Sequence, residues 1–309
     1  METALIIPLL AAAIQSGTPI LFATLGEMFT ERAGVLNLGV EGMMIVGALA
    51  AFLTAQATGS PWLGVLAGGT AAALVGALHG VVCLHFLGNQ TVSGLALTIF
   101  GVGLANYLGT PFIGQRAPGF EPFAVPLLSA IPLAGDIFFR HDALVYLSFT
   151  LPPLFWFFWH RTRPGLELTA AGEYPRAASA AGLNPVALRW VGVLVGGFLV
   201  GLGGAYLSLA YTHLWSNGMT AGRGWIAVAL VIFAFWRPGR AMFGAYLFGG
   251  VMAFQLRLQA TGTNVPSSFL LMLPYALTIL ALVLSALRGR SASSSAAPAA
   301  LGVNIEPEG

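Results

Sequence analysis

Lysine is absent from this chain of 309 residues, and all 13 basic residues are arginines. A phosphate-binding P-loop needs a lysine to contact the phosphates, so the chain carries no such nucleotide site. Catalysis through a Schiff base needs a lysine amine and is excluded for the same reason. Cys83 is the single cysteine, which excludes an intrachain disulfide, and its apolar surroundings predict a packed small side chain.

Charged residues are also scarce. They make up 8% of the chain, whereas about a quarter of a typical soluble domain is charged. Hydrophobic residues make up 57%, and the mean hydropathy is +0.83. The net charge of +2 is too small to indicate a nucleic-acid partner. This composition predicts an integral protein that crosses the lipid bilayer several times.

Motifs for metal binding and catalysis are missing from the sequence. His79 and His85 are six positions apart, which is not the four-residue spacing of a metal-binding pair on one helix face. The chain has no HExxH motif, no paired cysteines and no GxSxG nucleophile motif. We therefore predict no metal site and no bound cofactor, and a membrane-embedded enzyme is disfavoured.

Long apolar runs occupy most of the chain, and a membrane-spanning helix needs about 20 mostly apolar residues. The predicted fold is all-α, a polytopic membrane helix bundle of about nine transmembrane helices with broken spans. The spans lie near residues 4–28, 36–57, 61–86, 92–109, 142–160, 190–211, 223–236, 240–258 and 267–287. Residues 1–290 form this transmembrane domain, and the small, polar segment 291–309 is predicted to be a disordered cytoplasmic tail.

Arginine placement predicts the orientation, because cytoplasmic loops carry an excess of basic residues. A cytoplasmic C-terminus places these arginines inside: Arg161, Arg163, Arg176, Arg189, Arg237, Arg240, Arg288 and Arg290. Nine spans then put the N-terminus outside. No basic residue precedes Arg32, so the first apolar run is expected to be a retained span rather than a signal peptide.

Glycine is abundant, with 40 residues, and much of it lies within the spans. Pairs spaced four apart let helix backbones approach closely inside lipid. These pairs are Gly64/Gly68, Gly76/Gly80, Gly192/Gly196 and Gly197/Gly201. Each half of the chain also has a glycine-interrupted span that follows an arginine, with Arg32 before AGVLNLG and Arg223 before GWIAVAL. Paired broken spans of this kind indicate a solute pathway near the middle of the membrane.

The stretch TERAGVLNLGVEGMM holds three charges between apolar runs. Its glycines predict a break after Arg32 and a half-helix that begins near Val35–Asn37. Asn37 and Glu41 are four apart, so they are expected to share one face of that half-helix and to line a translocation path. The alternative is that Glu31 and Arg32 lie at the cytoplasmic interface and that Glu41 bonds to another helix.

A second polar stretch opens the segment LGNQTVSGLALTIFGVGLANYLG. Gln90 and Ser93 lie at the start of its predicted span, and Asn106 lies near the outer end. These side chains are expected to give the path a polar, uncharged lining, with Arg223 as a candidate partner for Glu41. The alternative is that the polar start is only a capped helix end at the interface.

The internal loop carries the sequence LELTAAGEYPRAASAAGLNPVALRW. Pro175 suits a first helical turn, and Glu173 before it favours the positive end of a helix. We predict a short amphipathic helix around Pro175–Ala181 that ends at Gly182. Such an exposed helix, with alanines on one face and arginines beside it, is typical of a docking element. The alternative is a loop helix that lies on the membrane surface.

Several of these motifs, at matching distances, resemble the integral-membrane permease subunit of bacterial ABC importers for nucleosides. That group is related to the ribose and branched-chain amino-acid permeases. The resemblance extends from about Ile7 to Leu287 and is carried by TERAGVLNLGVEGMM, NQTVSGLAL, GEYPRAASAAGLN, GLGGAYL, AGRGWIAVALVIF and MLPY. The chain departs from the pattern at Ala234, where the family often has glycine, and in the tail PAALGVN, where relatives end in Pro-Tyr.

The resemblance implies a transporter subunit, not an enzyme, in the bacterial plasma (inner) membrane. It implies three partners: a second permease subunit in a heterodimer, a cytoplasmic ATP-binding subunit that holds ATP and Mg, and an extracytoplasmic substrate-binding lipoprotein. It also implies that the internal loop holds the coupling helix that inserts into the ATPase. The matching positions are Glu173, Arg176, Ala178 and Gly182. The expected solute is a nucleoside.

Two alternatives stay open for the function. An ion-coupled secondary transporter would use Glu41 as its titrating group and would give the internal loop no special role. An ABC permease for simple sugars or amino acids would keep the architecture and change only the solute, because nothing in the spans specifies a purine.

Overall fold

The computed structural model describes residues 3–262, 265–289 and 297–305. Twelve α-helices occupy most of these residues: α1 (Thr3–Arg32), α2 (Val40–Thr58), α3 (Pro61–Gly80), α4 (Gln90–Gly109), α5 (Ala134–Phe138), α6 (Ala143–Arg161), α7 (Arg163–Glu173), α8 (Pro175–Ala180), α9 (Pro185–Tyr206), α10 (Arg223–Phe233), α11 (Pro238–Ala260) and α12 (Ser267–Gly289). Single π-helical turns continue α3 over Val81–His85 and α9 over Leu207–Tyr211. Between α4 and α6, the strands β1 (Phe123–Ala124) and β2 (Arg140–His141) pair antiparallel.

Within the described residues, six helices are long and apolar enough to cross a membrane: Ile6–Arg32, Val40–Thr58, Pro61–His85, Gln90–Phe112, Pro185–Tyr211 and Pro238–Ala260. They establish a polytopic membrane helix bundle. The predicted count of nine is not confirmed, because the other three predicted spans correspond to α6, α10 and α12. Helix α10 has only 11 residues. It is therefore about 16 Å long, roughly half of a hydrocarbon core of about 30 Å.

Helix α9 lies at the centre of the bundle and packs against α1, α2 and α3. Glycine makes this packing possible. A Cβ atom on Gly26 of α1 would lie 2.5 Å from the main-chain oxygen of Gly196, and one on Gly68 of α3 would lie 2.7 Å from that of Gly47 on α2. Side chains do not tolerate such distances, so the helix backbones are in direct contact there. The predicted close packing is confirmed at Gly68 and Gly196, each a member of a predicted glycine pair.

One end of the bundle gathers elements that are far apart in sequence, and we call it the Arg32 end. Arg32 closes α1 there, and its Nη2 donates to the carbonyl oxygen of Trp236, just beyond α10, at 2.8 Å. The end of α7 lies against the same place, because a Cβ atom on Gly172 would collide with the main-chain oxygen of Arg32. The start of α1 lies at the opposite end of the bundle.

Residues 297–305 pack against the Arg32 end, with Pro298 and Ala300 buried. The sequence predicts a disordered tail over 291–309, whereas the structure gives these nine residues a fixed position; residues 291–296 and 306–309 lie outside the described residues. The physical reason is a buried arginine in α9. Arg189 donates from Nη1 to the carbonyl oxygen of Val303 at 2.6 Å and from Nη2 to that of Ala300 at 3.3 Å.

Candidate translocation path and coupling helix

The break between α1 and α2 covers Ala33–Gly39, which we call the linker. The predicted break after Arg32 is confirmed, but α2 begins at Val40, later than the predicted start near Val35–Asn37. The linker runs beside the first half of α4. Gln90 of α4 accepts a hydrogen bond from Leu36 in the middle of the linker, and Thr98 of α4 donates one to Leu38. Gln90 and Thr98 lie about 12 Å apart along the axis of α4. Irregular backbone therefore reaches well into the depth of the bundle.

Side chains from α1, α3 and α4 hold the main chain of the linker. The Leu36 N–H donates to Gln90 Oε1 at 2.8 Å, and the Leu36 carbonyl lies 3.0 Å from His79 Nε2. Ser93 in turn lies 3.0 Å from His79 Nδ1. The Thr98 hydroxyl donates to the carbonyl of Leu38 at 2.8 Å. Non-helical backbone at membrane depth requires such protein partners, so Gln90 and Ser93 have a structural role in addition to the predicted path role.

Asn37 lies in the linker, not on α2. Its Oδ1 accepts the Gly39 N–H at 2.8 Å, its Nδ2 lies 3.1 Å from Met43 Sδ, and the residue is buried. Asparagine commonly forms such a turn with main chain two residues on. The prediction that Asn37 and Glu41 share a helical face is therefore wrong, because the asparagine turn delays the start of α2 until Val40.

Glu41, one residue into α2, meets the start of α10. Its Oε1 accepts the Thr220 hydroxyl at 2.6 Å and the Gly222 N–H at 2.9 Å, and its Oε2 accepts the Gly224 N–H at 2.7 Å. The first N–H groups of a helix have no partner within the helix and favour a negative charge. A buried carboxylate from the first half of the chain thus caps a half-length helix in the second half.

Arg223 lies at the same junction but does not form an ion pair with Glu41. Its Nη1 donates to the carbonyl oxygens of Met219 at 3.2 Å and Thr220 at 3.1 Å, and its guanidinium lies 5.8 Å from the ring centre of Tyr211. The ion pairs found among the described residues lie elsewhere. Arg223 therefore lies beside Glu41 but is not its partner. The groups that bond to Glu41 are the Thr220 hydroxyl and the main-chain N–H groups of Gly222 and Gly224.

Asn106 is separate from the other candidate path residues. It lies near the far end of α4, where its Oδ1 accepts the Gly218 N–H at 3.2 Å. Gln90 starts the same helix 16 residues earlier, about 24 Å away along the axis. The structure thus groups Asn37, Gln90 and Ser93 at the linker and Glu41 with Arg223 at the α10 junction. Their role in a solute path stays a prediction.

Two acidic residues of α1, Glu27 and Glu31, lie beside the linker, and Glu27 is not among the residues predicted from the sequence. Glu27 is buried, and its Oε1 accepts the Asn37 N–H at 3.0 Å. Glu31 is also buried, and its Oε2 accepts from Trp236 Nε1 at 2.6 Å, so it does not lie at an exposed interface. Glu27 and Glu31 are four residues apart, which places both on one helix face, and this spacing was the sequence signal that could have identified Glu27.

Helix α8 (Pro175–Ala180) confirms the predicted short helix of the loop after α6. Gly182 ends it in the left-handed conformation with φ of +83°, and the Leu183 N–H donates back to the carbonyl of Ala178 at 3.0 Å. This is the usual way in which glycine closes a helix. Ala178 faces the protein and is buried, whereas Arg176 is exposed. The helix therefore offers a free polar face at the Arg32 end.

A cleft of about 1180 Å³ lies beside α8. One wall comes from α8 and the start of α9, and the other comes from residues 299–305. The lining residues are Glu173, Tyr174, Pro175, Arg176, Ala177, Ser179, Leu183, Asn184, Pro185, Val186, Ala299, Ala300, Val303, Asn304 and Ile305. Glu173 joins the two walls, because its Oε2 accepts the Ala299 N–H at 3.0 Å. Among the described residues, no group of three or more His, Cys, Asp or Glu side chains is placed to hold a metal ion.

A family model described as "Branched-chain amino acid transport system / permease component" matches residues 9–282. The chain belongs to this family. The permease is 46% identical over 256 residues to the putative glucose ABC transporter permease protein TsgC13 of Haloferax volcanii, which covers 82% of this chain and 78% of that protein. It is 38% identical over 280 residues to the nucleoside ABC transporter permease protein NupC of Lactococcus lactis, with 86% and 88% covered.

A third relative is the guanosine ABC transporter permease protein NupQ of Bacillus subtilis. The permease is 34% identical to it over 290 residues, which cover 88% of this chain and 89% of that protein. Family membership implies an ABC transporter system with ATPase and substrate-binding partners, in which a permease is the membrane subunit rather than an enzyme. The permease is therefore a multi-pass membrane protein of such a system.

Proposed function

We propose that this permease is the transmembrane subunit of an ATP-binding-cassette importer that moves nucleosides. The observation that carries the proposal is α8, a short helix with an exposed Arg176 that follows α7, whose end lies against the linker of a broken span. Family membership supports the ABC assignment. Two relatives named for nucleosides or guanosine, at 38% and 34% identity, support the solute.

The proposed complex has three partners for the permease. A second permease subunit forms a heterodimer with it, a cytoplasmic ATPase binds ATP and Mg, and an extracytoplasmic lipoprotein delivers the solute. The Arg32 end faces the cytoplasm of the cell that carries this inner-membrane protein, so the C-terminus lies inside and the N-terminus outside. The arginine excess of the proposed cytoplasmic loops supports this orientation, and α6, α10 and α12 complete about nine spans.

The proposed mechanism is alternating access driven through α8. The ATPase docks on the segment from Glu173 to Gly182, where Arg176 and Gly182 are exposed and Ala178 packs α8 against the protein, and it moves the helix as its own nucleotide sites close and open. Gly172, just before α8, lies against the main chain of α1 and of Gly34 in the linker. Movement of α8 therefore shifts the linker, and with it the start of α2 and the Glu41 cap on α10.

Charge reversal of one exposed arginine tests the docking role. Arg176→Glu is expected to reduce both ATPase co-purification and uptake by at least tenfold, because it reverses the charge of the surface offered by α8 without a buried contact to disturb. Arg161→Glu, which changes an exposed arginine at the end of α6, is the matched control and is expected to change neither. Membrane insertion of both variants, measured by detergent extraction, should equal that of wild type. Uptake that survives in Arg176→Glu would contradict docking through α8.

Transport by an ion gradient is the outcome that would overturn the ABC assignment. Uptake in proteoliposomes is expected to need ATP, the ATPase, both permeases and the loaded lipoprotein. Uptake by this chain alone, driven by a proton or sodium gradient, would instead support a secondary transporter. The engagement of Glu41 as a helix cap gives that alternative no free midplane carboxylate at this position.

A sugar is the second candidate solute, and the 46% identity to the putative glucose permease favours it. The deciding experiment is to purify the lipoprotein that associates with the permease and to measure its affinity for guanosine, uridine, glucose and leucine by calorimetry. Guanosine or uridine binding supports the proposal. Binding of glucose or leucine alone would assign the permease to sugars or to amino acids.

A further inference from the structure

Residues 297–305 join two parts of the Arg32 end, and we call them the tail strap. The Ala300 N–H donates to the carbonyl of Gly172, just before α8, at 3.0 Å. The Gly302 N–H donates to the carbonyl of Gly34 in the linker at 3.3 Å. Together with the bond from Ala299 to Glu173, these contacts place the strap across the loop that carries α8 and the broken span.

Arg189 holds the strap in place. It is fully buried at 0% exposure, and the hydrogen bonds of its guanidinium go to the carbonyls of Val303 and Ala300. Among the described residues, no carboxylate lies within ion-pair distance of it. A buried charge without hydrogen-bond acceptors is strongly unfavourable. Departure of the strap would remove both of these acceptors from the guanidinium, so the strap is part of the packing around Arg189.

A side chain of the strap also reaches the start of α4. The Asn304 Nδ2 donates to the carbonyl of Leu87 at 2.5 Å, and its Oδ1 accepts from Gln90 Nε2 at 3.1 Å. Gln90 is the residue whose other amide atom accepts the Leu36 N–H of the linker. A continuous series of hydrogen bonds therefore runs from the strap through Gln90 to the broken span.

We propose that the tail strap is a permanent brace of the ATPase-coupling surface. It fixes the end of α7, just before α8, to the linker, so that both move as one body, and it supplies the second wall of the cleft beside α8. It stays seated throughout the transport cycle. This inference rests on the proposed function, because it assigns the strap to the coupling of that same transporter.

A disulfide across the strap tests whether it stays seated. A Cβ atom on Gly302 would lie 3.9 Å from the Cβ of Leu36, within the usual range of about 3.5–4.5 Å for a disulfide. The variant Leu36→Cys/Gly302→Cys is made in a Cys83→Ala background, which leaves no other thiol. We expect cross-linking of most molecules on oxidation. The reconstituted complex should then show ATP-driven uptake within twofold of the same protein after reduction.

Each other outcome of the cross-link counts against the brace. Gly302 has φ of +75°, where an L side chain is strained, so uptake of the single variant Gly302→Cys is compared with wild type first. If that variant matches wild type, cross-linking of only a small fraction would show that the strap is not seated. Uptake that is lost on oxidation and restored by reduction would show that the strap must leave during the cycle. The single-cysteine variants Leu36→Cys and Gly302→Cys, treated with the same oxidant, separate cross-linking from the effect of the substitutions themselves.

Removal of the strap tests whether it couples. A chain that ends at residue 296 is expected to insert in the membrane and to show at least a tenfold decrease in uptake per ATP hydrolysed, whereas a chain that ends at residue 305 should match wild type. Should the shorter chain fail to fold, Asn304→Ala keeps the main-chain bonds of the strap and is expected to decrease the same ratio three- to tenfold. An unchanged ratio in Asn304→Ala or in the folded shorter chain would overturn the proposal.

If wild type shows no ATP-driven uptake, the proposed function fails, and the cross-link yield still reports whether the strap is seated.

Discussion

The bundle has two helix breaks, one at the linker between α1 and α2 and one at the start of α10, and their main chain is stabilised in opposite ways. At the start of α10, one carboxylate accepts three hydrogen bonds, because Glu41 binds Thr220, Gly222 and Gly224. At the linker, the partners are spread over α1, α3, α4 and the tail strap, so no single side chain supplies all the bonds. Both solutions satisfy main chain that lipid would leave unpaired.

The break with several partners tolerates substitution better than the break with one. A junction that depends on one side chain loses all its bonds with one substitution, whereas a junction with several partners loses one bond at a time. The linker can therefore bend during transport while most of its bonds persist. The α10 cap is better suited to transmit a movement of α2 to α10 as a rigid contact.

The largest effect is expected for Glu41→Ala. It leaves three donors without an acceptor: the Thr220 hydroxyl and the Gly224 N–H are buried, and the Gly222 N–H is half-buried. Each buried donor costs about 1–3 kcal/mol, so the free energy of unfolding should fall by more than about 2 kcal/mol. Chemical denaturation of the purified permease in detergent measures this loss. Glu41→Gln keeps one carbonyl acceptor and should lose roughly half as much. Wild-type stability in Glu41→Ala would show that the cap does not hold α10.

The next largest effect is expected for Gln90→Ala at the linker. The Leu36 N–H loses its acceptor and Asn304 loses a donor, which should lower the free energy of unfolding by about 1–2 kcal/mol. The same denaturation assay applies. Asn304→Ala leaves the bond between Gln90 and Leu36 intact and removes the bond between Gln90 and the strap, so it separates the linker from the strap. A loss equal to that of Glu41→Ala would contradict the view that the linker has shared support.

Local signals account for what the sequence predicts correctly. Pro175 and Gly182 bound α8 through backbone preferences that need no tertiary partner. The cluster of glycines after Arg32 likewise identifies the first break. The delayed start of α2 depends on the Asn37 turn and on the bond from the Asn37 N–H to Glu27. The spacing of apolar residues along the sequence does not reveal these contacts.

Long-range contacts account for what the sequence does not reveal. The partners of Glu41 lie about 180 positions later in the chain, and no local pattern connects them. The tail strap has a composition typical of disorder, and its position depends on contacts with Arg189, Glu173, Gly34 and Gln90, all far away in sequence. Arg189 precedes the predicted span 190–211, so the sequence indicated a cytoplasmic loop residue and gave no signal that this arginine is buried against the tail.

A smaller effect is expected for Thr98→Val. This substitution keeps the shape of the side chain and removes one bond to the carbonyl of Leu38, so it should cost about 1 kcal/mol. Thr70→Val is the matched control, because Thr70 is exposed on α3 and bonds only within its own helix. It should change stability by less than about 0.5 kcal/mol. A larger loss in Thr98→Val would mean that this one bond supports much of the linker.

The smallest effect is expected for the coupling between the two breaks. Glu41 and Gln90 share no hydrogen-bond partner, since one binds the start of α10 and the other binds Leu36 and Asn304. The losses of Glu41→Gln and Gln90→Ala should therefore add to within about 0.5 kcal/mol in the double variant. A double-mutant cycle with the denaturation assay measures the difference. An interaction above about 1 kcal/mol would show that α2 transmits strain between the breaks even at rest, and the two junctions would then have to be treated as one cooperative unit.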